Sequence, residues 1–329
     1  MSANHPLPLA ATFSVEGLTL TQAEKSILSA AQPFGVILFG RNCESPAQVK
    51  ALTDEIRAAL GWRAPIFIDQ EGGRVCRMKS PAWDMHSAAR SYGEMLEQDF
   101  DKGAEALNKD MNALAEMILQ AGVDVNCAPV LDVLTAQTHP AIGDRAYSFD
   151  PLMVAQAGDI VCQAFLDAGV TPVIKHMPGQ GRATSDSHYD LPFVNAPLAE
   201  LMDTDFLPFR LIAQKPYAES VWGMVAHILY DSIDKDHPAT LSSKVIKDVI
   251  RGAIGFDGLL FSDDLDMKAL ESYGSIADRA LLSLQAGVDV ALYCWAKMDV
   301  MEEMAHKLPP MTTASWNRWQ KGMAAEWAA

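Results

Sequence analysis

Residues 33–69, PFGVILFGRNCESPAQVKALTDEIRAALGWRAPIFID, contain two short apolar runs separated by a helical pattern. The runs at 34–40 and 65–69 are predicted strands. Between them, Ser45 is a predicted helix N-cap, and Pro46 follows at the first helical position, where a missing N–H costs nothing. The apolar residues that recur behind it at the spacing of one helix face are Val49, Leu52, Ile56 and Leu60. The stretch therefore predicts a strand–helix–strand unit.

Apolar runs of this kind recur along the whole chain. The predicted strands lie at about 10–15, 34–40, 65–69, 123–130, 171–176, 221–228, 258–263 and 288–294. The runs are mostly apolar at every position, which is typical of parallel strands that are buried on both faces. A second helix with clear signals begins at Ser275, has Asp278 three residues on and ends before Gly287.

Eight strands alternating with helices predict a (β/α)8 barrel of the TIM type. We expect one catalytic domain over 1–329, with a helical tail at about 312–329 that carries Trp316, Trp319 and Met323. The alternative is an open, doubly wound sheet. That fold usually has fewer strands, and no Gly-x-Gly-x-x-Gly follows the first strand.

Charge and composition exclude several classes of partner. The 329 residues carry a net charge of −16 without a basic stripe, which argues against nucleic acid and anionic membrane surfaces. The five cysteines are scattered without a Cys-x-x-Cys pair, as in reduced intracellular proteins. The N-terminus lacks the pattern of a signal peptide, and no apolar run is long enough to span a bilayer. We predict a cytoplasmic monomer that acts on a small molecule.

Polar side chains cluster at the carboxyl ends of the predicted strands, where barrels of this class carry their active sites. Asp69 ends the third strand, and the pair Lys175-His176 ends the fifth. The other strand-end groups are His227, Asp263 and Asp264. Any one of them has an ordinary structural explanation, such as a helix cap or a core histidine. Their joint position indicates a catalytic cluster.

Two reaction classes fit these residues. A metal hydrolase is one; its candidate ligands are His176, His188, His227, Asp263 and Asp264. Such barrels often carry a His-x-His pair on the first strand, which AATFSV does not supply, and His188 lies on a loop. Glycoside hydrolysis is the other, with Asp263 as nucleophile and Asp186-Ser187-His188 as proton donor. An aspartate that accepts a proton from one ring nitrogen leaves the other nitrogen free for acid–base work near neutral pH.

The order of several motifs resembles glycoside hydrolase family 3, in its bacterial β-N-acetylglucosaminidase branch of peptidoglycan recycling. The motifs are ILFGRNCESPAQV, IDQEGGRVCRM, APVLDV, IGDRAYS, KHMPGQGRATSDSHYDLP, MVAHILY, HPATLS and FSDDLDM. The resemblance covers roughly residues 14–295. It implies the single-domain form of the family, hydrolysis without metal or organic cofactor, and muropeptide fragments as substrates.

The resemblance also implies roles for individual residues. Asp263 is the expected nucleophile, which forms a covalent glycosyl-enzyme, and His188 is the expected acid/base with Asp186 as its partner. The residues expected to bind the sugar are Asp69, Arg77, Arg145, Lys175 and His176. A phosphorylase acting through the same site, and a sugar-binding protein without catalysis, are the alternative functions.

The sequence departs from the family pattern at two positions. Gln180 replaces the second histidine of Lys-His-x-Pro-Gly-His-Gly, which leaves open how this loop is anchored, and Cys76 replaces a common glutamine. We expect Cys76 to point away from Arg77, because neighbours in an extended segment alternate. We also expect residues 178–187 to form a mobile flap that carries His188 into the site, because long loops without regular structure are usually functional.

Overall fold

The computed structural model describes residues 7–185 and 191–322. Its central feature is a ring of eight parallel strands, β1 to β8 in chain order. Their bounds are Leu9–Ser14, Pro33–Leu38, Ile66–Ile68, Val125–Asn126, Thr171–Met177, Trp222–Val225, Leu260–Ser262 and Ala291–Leu292. Each strand from β1 to β6 pairs with the next in parallel register, and β8 pairs with β1. Between β7 and β8, the Phe261–Val290 bridge nearly closes the ring.

The predicted (β/α)8 barrel is therefore confirmed. The strands are buried along their whole length, as the continuous apolar runs indicated. Strand β4 is shorter than its predicted span of 123–130. Pro129 has no N–H to donate, so the regular ladder stops before it, and pairing resumes in a bridge between Val130 and Lys175.

Helices surround the ring of strands. The α-helices are Gln22–Ala31, Pro46–Leu60, Ala89–Gln98, Phe100–Gln120, Pro151–Ala168, Leu198–Asp203, Leu207–Ala213, Ile276–Ala286, Met298–Lys307 and Thr313–Lys321. A π-helix at Val245–Ala253 lies between β6 and β7. Short 3₁₀ turns occur at Gly40–Asn42, Gly143–Arg145, Ala218–Ser220, Ala239–Leu241 and Lys268–Tyr273. Phe193–Val194 and Leu229–Tyr230 form a separate parallel pair.

The predicted helix signals are present. Ser45 accepts a hydrogen bond from the Gln48 N–H at 3.3 Å ahead of Pro46, and the four apolar residues of this helix are all buried. Ser275 and Asp278 form a reciprocal capping box. Gly287 ends that helix with φ of 114°, a left-handed conformation that favours glycine.

Aromatic rings fill the amino-terminal half of the barrel. Phe67 packs against Phe261 with ring centroids 5.1 Å apart, and Trp222 lies 5.5 Å from Phe261. The predicted tail helix is observed at Thr313–Lys321, where Trp319 meets Phe34 edge-on at 6.0 Å; Met323 and the rest of the tail lie outside the described residues. Among the described residues, this packing fills the amino-terminal end of the barrel, opposite the carboxyl ends of its strands.

Within residues 7–185 and 191–322, no helix is both long and apolar enough to cross a membrane.

Candidate active site

A cavity of about 560 Å³ opens at the carboxyl ends of the strands. Its walls come from the carboxyl-terminal part of β5, from the segments that follow β2, β3, β7 and β8, and from the turn at Gly143–Arg145. The charged residues and histidine that line it are Arg41, Asp69, Glu71, Arg74, Arg77, Arg145, Lys175, His176, Asp263, Asp264, Asp266 and Lys268. Six predicted site residues therefore lie in one cavity: Asp69, Arg77, Arg145, Lys175, His176 and Asp263.

A buried network of ion pairs joins the ends of β3 and β5. The Lys175 ammonium, 2% exposed, lies 2.9 Å from Asp69 Oδ1 and 2.6 Å from Glu71 Oε1. Arg77 donates to Asp69 Oδ2 at 2.8 Å. Arg145 donates to both carboxylate oxygens of Glu71, each at 2.8 Å. Such bidentate pairs fix orientation as well as charge, so the network presents donors and acceptors in set directions.

The network keeps its carboxyl groups ionised. Burial alone would raise the pKa of Asp69, but Lys175 and Arg77 hold it far below the usual value. For Glu71, burial is likewise outweighed by Arg145 and Lys175, and the pKa falls to about 2. The same two carboxylates raise the pKa of Lys175 despite its burial. At neutral pH all these groups are charged, and they can bind a ring of hydroxyl groups as both donors and acceptors.

His176 is oriented by a carboxylate below it. Its Nδ1 lies 2.7 Å from Asp132 Oδ2, and its Nε2 lies 3.4 Å from Arg145 Nη2. Asp132 is fully buried and also accepts a hydrogen bond from the Gln180 backbone N–H at 2.6 Å. A ring nitrogen held by a carboxylate has a fixed orientation, so His176 presents Nε2 to the cavity.

The segment after β5 is anchored, and the expected flap is wrong for residues 178–183. All of these residues are buried except the partly exposed Arg182, which pairs with Asp205 Oδ2 at 2.6 Å. This loop is anchored although Gln180 replaces the second histidine of the family pattern. The backbone N–H of Gln180, rather than its side chain, bonds to Asp132. A Cβ on Gly181 would lie 1.8 Å from the Val133 carbonyl oxygen, so a larger residue does not fit there.

Asp263 lies directly after β7 at the cavity floor. Its N–H donates to the Val225 carbonyl at 3.1 Å, and its Oδ1 accepts a hydrogen bond from the Asp264 N–H at 2.8 Å. Burial raises its pKa, but the nearby His227 and His176 outweigh burial and lower it below the usual value. An ionised carboxylate with one oxygen held is suited to nucleophilic attack.

The neighbouring Asp264 has a different environment. Burial and the adjacent Asp263 charge raise its pKa to about 6. Its Oδ1 accepts hydrogen bonds from the N–H groups of Asp266 and Cys294, each at 3.2 Å. Asp264 therefore joins the segments that follow β7 and β8.

His227 lies beneath the cavity. Its Nδ1 is 2.8 Å from Thr240 Oγ1, and its Nε2 is 2.9 Å from the Asp264 carbonyl oxygen. Both ring nitrogens thus have protein partners. In the described part of the chain, no three histidine, cysteine or acidic side chains converge to hold a metal ion. The metal-hydrolase hypothesis gains no support from this arrangement.

The sequence did not predict two residues of the site, Glu71 and Asp132. Two residues that it did predict, Asp186 and His188, lie outside the described residues. Glu71 was passed over although it stands two residues after a strand-end aspartate, a position that could have indicated it. Asp132 lies in the quoted motif APVLDV, but no spacing rule connects it with His176, which is 44 residues away. Cys76 is buried with its thiol 3.4 Å from the Gly73 carbonyl oxygen, and it is not one of the residues that line the cavity.

Comparison with known proteins agrees with this geometry. Residues 10–314 match the glycosyl hydrolase family 3 N-terminal domain. The chain belongs to this family. It is thus an enzyme of the glycoside hydrolase class, as the sequence predicted.

Individual relatives cover most of the chain. The beta-hexosaminidase of Bordetella avium is 35% identical over 294 residues, which span 89% of this chain and 82% of the relative. That of Alkalilimnicola ehrlichii is 38% identical, with 86% and 79% covered. The crystal structure of NagZ from Neisseria gonorrhoeae in complex with N-trifluoroacetyl-D-glucosamine superposes with a TM-score of 0.88 at 31% identity, covering 98% of this chain and 92% of NagZ.

Proposed function

We propose that this enzyme is a retaining β-N-acetylglucosaminidase that removes terminal N-acetylglucosamine from N-acetylglucosaminyl-anhydro-muramyl peptides. The observation that carries the proposal is the ionised Asp263 at the floor of a cavity whose opposite wall is a charged, hydroxyl-binding network. The beta-hexosaminidase relatives and the N-acylated glucosamine bound by the gonococcal NagZ support the choice of sugar.

The proposed mechanism has two steps. His188, as imidazolium, gives its proton to the glycosidic oxygen while the Asp263 carboxylate attacks the anomeric carbon, and the aglycone leaves. Neutral His188, aligned by Asp186, then takes a proton from water as the water oxygen displaces Asp263. Two inversions at the same carbon release N-acetylglucosamine with its configuration retained.

Asp69, Arg77, Arg145, Lys175 and His176 are the proposed sugar-binding groups. Lys175 and the two arginines donate, and the oxygens of Asp69 and Glu71 accept, so the set suits hydroxyl groups that do both. Glu71 joins the set because it is the carboxylate to which both Lys175 and Arg145 are tied.

The charge of the cavity favours an anionic aglycone. Among the described residues, six basic and five acidic side chains line it, whereas the whole chain has a net charge of −16. The cavity is nearly balanced in charge, whereas the protein as a whole is strongly negative. The carboxylates of a muramyl peptide are therefore repelled less by the cavity than by the rest of the surface. The unpaired state of Cys43, Cys76, Cys127, Cys162 and Cys294 supports the accompanying proposal of a cytoplasmic enzyme.

The proposal predicts metal-independent release of nitrophenol from its β-N-acetylglucosaminide. The assay is run with and without a chelator, and the first anomer formed is recorded by NMR. We expect β-N-acetylglucosamine, and a higher kcat/KM for a muramyl-containing disaccharide than for the neutral N,N′-diacetylchitobiose. An α anomer as first product would reject the covalent intermediate. A sugar phosphate formed in phosphate buffer would instead identify a phosphorylase.

Replacing His188 with alanine should lower kcat for disaccharides by about 10²–10⁴, the usual contribution of general acid–base catalysis. For nitrophenyl substrates the first step should lose less, because nitrophenolate leaves without protonation. The comparison is made by pre-steady-state kinetics on both substrates. Asp186→Asn is the companion variant; it should lower the apparent pKa of the alkaline limb of kcat/KM, since the imidazolium that acts as the acid of the first step loses its carboxylate partner. Equal losses on both substrates would exclude His188 as proton donor.

A further inference from the structure

Trp295 is the large aromatic side chain exposed at the mouth of the active-site cavity. It follows β8 by three residues, lines the cavity and is 51% exposed. Most other groups at the cavity wall are charged. A tryptophan that combines an apolar ring with a polar N–H is a residue type enriched at contact surfaces.

The backbone before Trp295 is held from both sides. The Cys294 carbonyl accepts a hydrogen bond from Arg41 Nη2 at 2.9 Å, and the Cys294 N–H donates to Asp264 Oδ1 at 3.2 Å. Arg41 is itself fixed, because it also donates to Ser14 Oγ at 2.6 Å and to the Val15 carbonyl at 3.0 Å. Trp295 therefore starts from a rigid support.

The indole ring also has a partner on one face. The Arg41 guanidinium carbon lies 5.9 Å from the centroid of the Trp295 ring and 4.9 Å from that of Phe39. The Arg77 guanidinium also lies 5.0 Å from the Phe39 centroid. Cation–ring contacts thus link Arg77, through Phe39 and Arg41, to Trp295 at the cavity mouth, and the contact with Arg41 favours one position of the indole.

We propose that Trp295 stacks against the leaving-group sugar of the substrate. The inference rests on the proposed function and deepens it by assigning a specificity-determining residue to the aglycone. A pyranose has one face of C–H groups, which packs on an aromatic ring. The terminal N-acetylglucosamine needs its hydroxyls satisfied by the deep network of Asp69, Glu71 and Lys175. A sugar that stacks on Trp295 lies near solvent, as the aglycone of a substrate does when an enzyme removes only the terminal sugar.

The test compares Trp295→Ala and Trp295→Phe with the wild type. The probes are N,N′-diacetylchitobiose as substrate and free N-acetylglucosamine as competitive inhibitor. For Trp295→Ala we expect kcat/KM on the disaccharide to fall about 10- to 100-fold, since apolar burial is lost. The Ki of N-acetylglucosamine, which reports the terminal-sugar site alone, should change less than about 3-fold. Trp295→Phe keeps an aromatic face and should recover most of the disaccharide activity.

The control variant is Trp316→Ala, which removes a tryptophan at the opposite end of the barrel, where Trp316 packs on Trp319 at 4.1 Å. It should leave both readouts unchanged. If Trp295→Ala weakens inhibitor and disaccharide equally, the indole only supports Arg41 and the proposal is overturned. Unchanged disaccharide kinetics would overturn it as well. A wild type that cleaves no β-N-acetylglucosaminide would refute the proposed function itself, which is a separate outcome.

Discussion

Asp263→Ala is expected to lower kcat for β-N-acetylglucosaminides by about 10⁴–10⁶, the loss seen when a covalent nucleophile is removed. The carboxylate has no substitute in its position, because the adjacent Asp264 is tied to two backbone N–H groups. KM should change little, since the proposed sugar-binding network at β3 and β5 is untouched. Steady-state kinetics on the nitrophenyl substrate measure both quantities.

Azide distinguishes a missing nucleophile from a damaged site. In Asp263→Ala the space left by the carboxylate admits azide, which should restore measurable turnover and give the α-glycosyl azide. A variant that binds N-acetylglucosamine as the wild type does, yet gives no azide product, would argue against Asp263 as nucleophile.

The matched control is Asp264→Asn. Its amide oxygen can still accept from the N–H groups of Asp266 and Cys294, so the loop after β7 keeps its shape. We expect a loss of no more than about 10-fold, from the altered charge beside Asp263. A loss as large as that of Asp263→Ala would transfer the nucleophile to position 264.

The fold was predictable from sequence because each of its signals is local. A run such as FGVILFG is apolar at every position only where both faces are covered, and caps such as Ser45-Pro46 mark where the next helix begins. These features repeat around the barrel, and a local error such as the length of β4 does not change the topology.

The site was predictable only in part, because its contacts are distant in sequence. Strand-end residues such as Asp69 and Lys175 share one rim by the geometry of parallel strands. The bond between Asp132 and His176 follows from no spacing rule. The same limitation explains the error over residues 178–183. Glycine and proline suggested a free loop, whereas the backbone N–H of Gln180 and the carbonyl of Gly181 bond to Asp132 and Thr138.

The buried network connects stability to function through Lys175. Asp69 and Glu71 are the two carboxylates nearest to it, and neither is more than 15% exposed. Their ionised state depends on the ammonium group, so the same residue that is proposed to bind the sugar also offsets two buried negative charges. Such a residue cannot be replaced for binding alone without a cost to folding.

Lys175→Met should therefore lower the free energy of unfolding by about 3–5 kcal/mol at pH 7. Asp69 and Glu71 each lose one of their two cationic partners and keep Arg77 and Arg145, and a hydrogen bond to a charged group contributes about 1.5–3 kcal/mol. Urea unfolding followed by circular dichroism measures the free energy of unfolding. Lys50→Met is the matched control, because Lys50 and Asp54 form an exposed pair one helical turn apart, and it should cost no more than about 0.5 kcal/mol.

The pH dependence of the free energy of unfolding is a second test of the ion pairs of Lys175. In the wild type, the depressed pKa values of Asp69 and Glu71 contribute stability that is present above their unfolded values, near 4, and lost as the pH falls toward 2. In Lys175→Met the carboxyl groups of Asp69 and Glu71 keep only their arginine partners and protonate more readily, so the deficit should shrink as the pH falls from about 5 toward 2. The double variant Lys175→Met, Asp69→Asn should regain part of the loss, because it removes one buried carboxylate that has lost its ammonium partner. If Lys175→Met unfolds like the Lys50→Met control at every pH, the ion pairs of Lys175 do not stabilise the barrel.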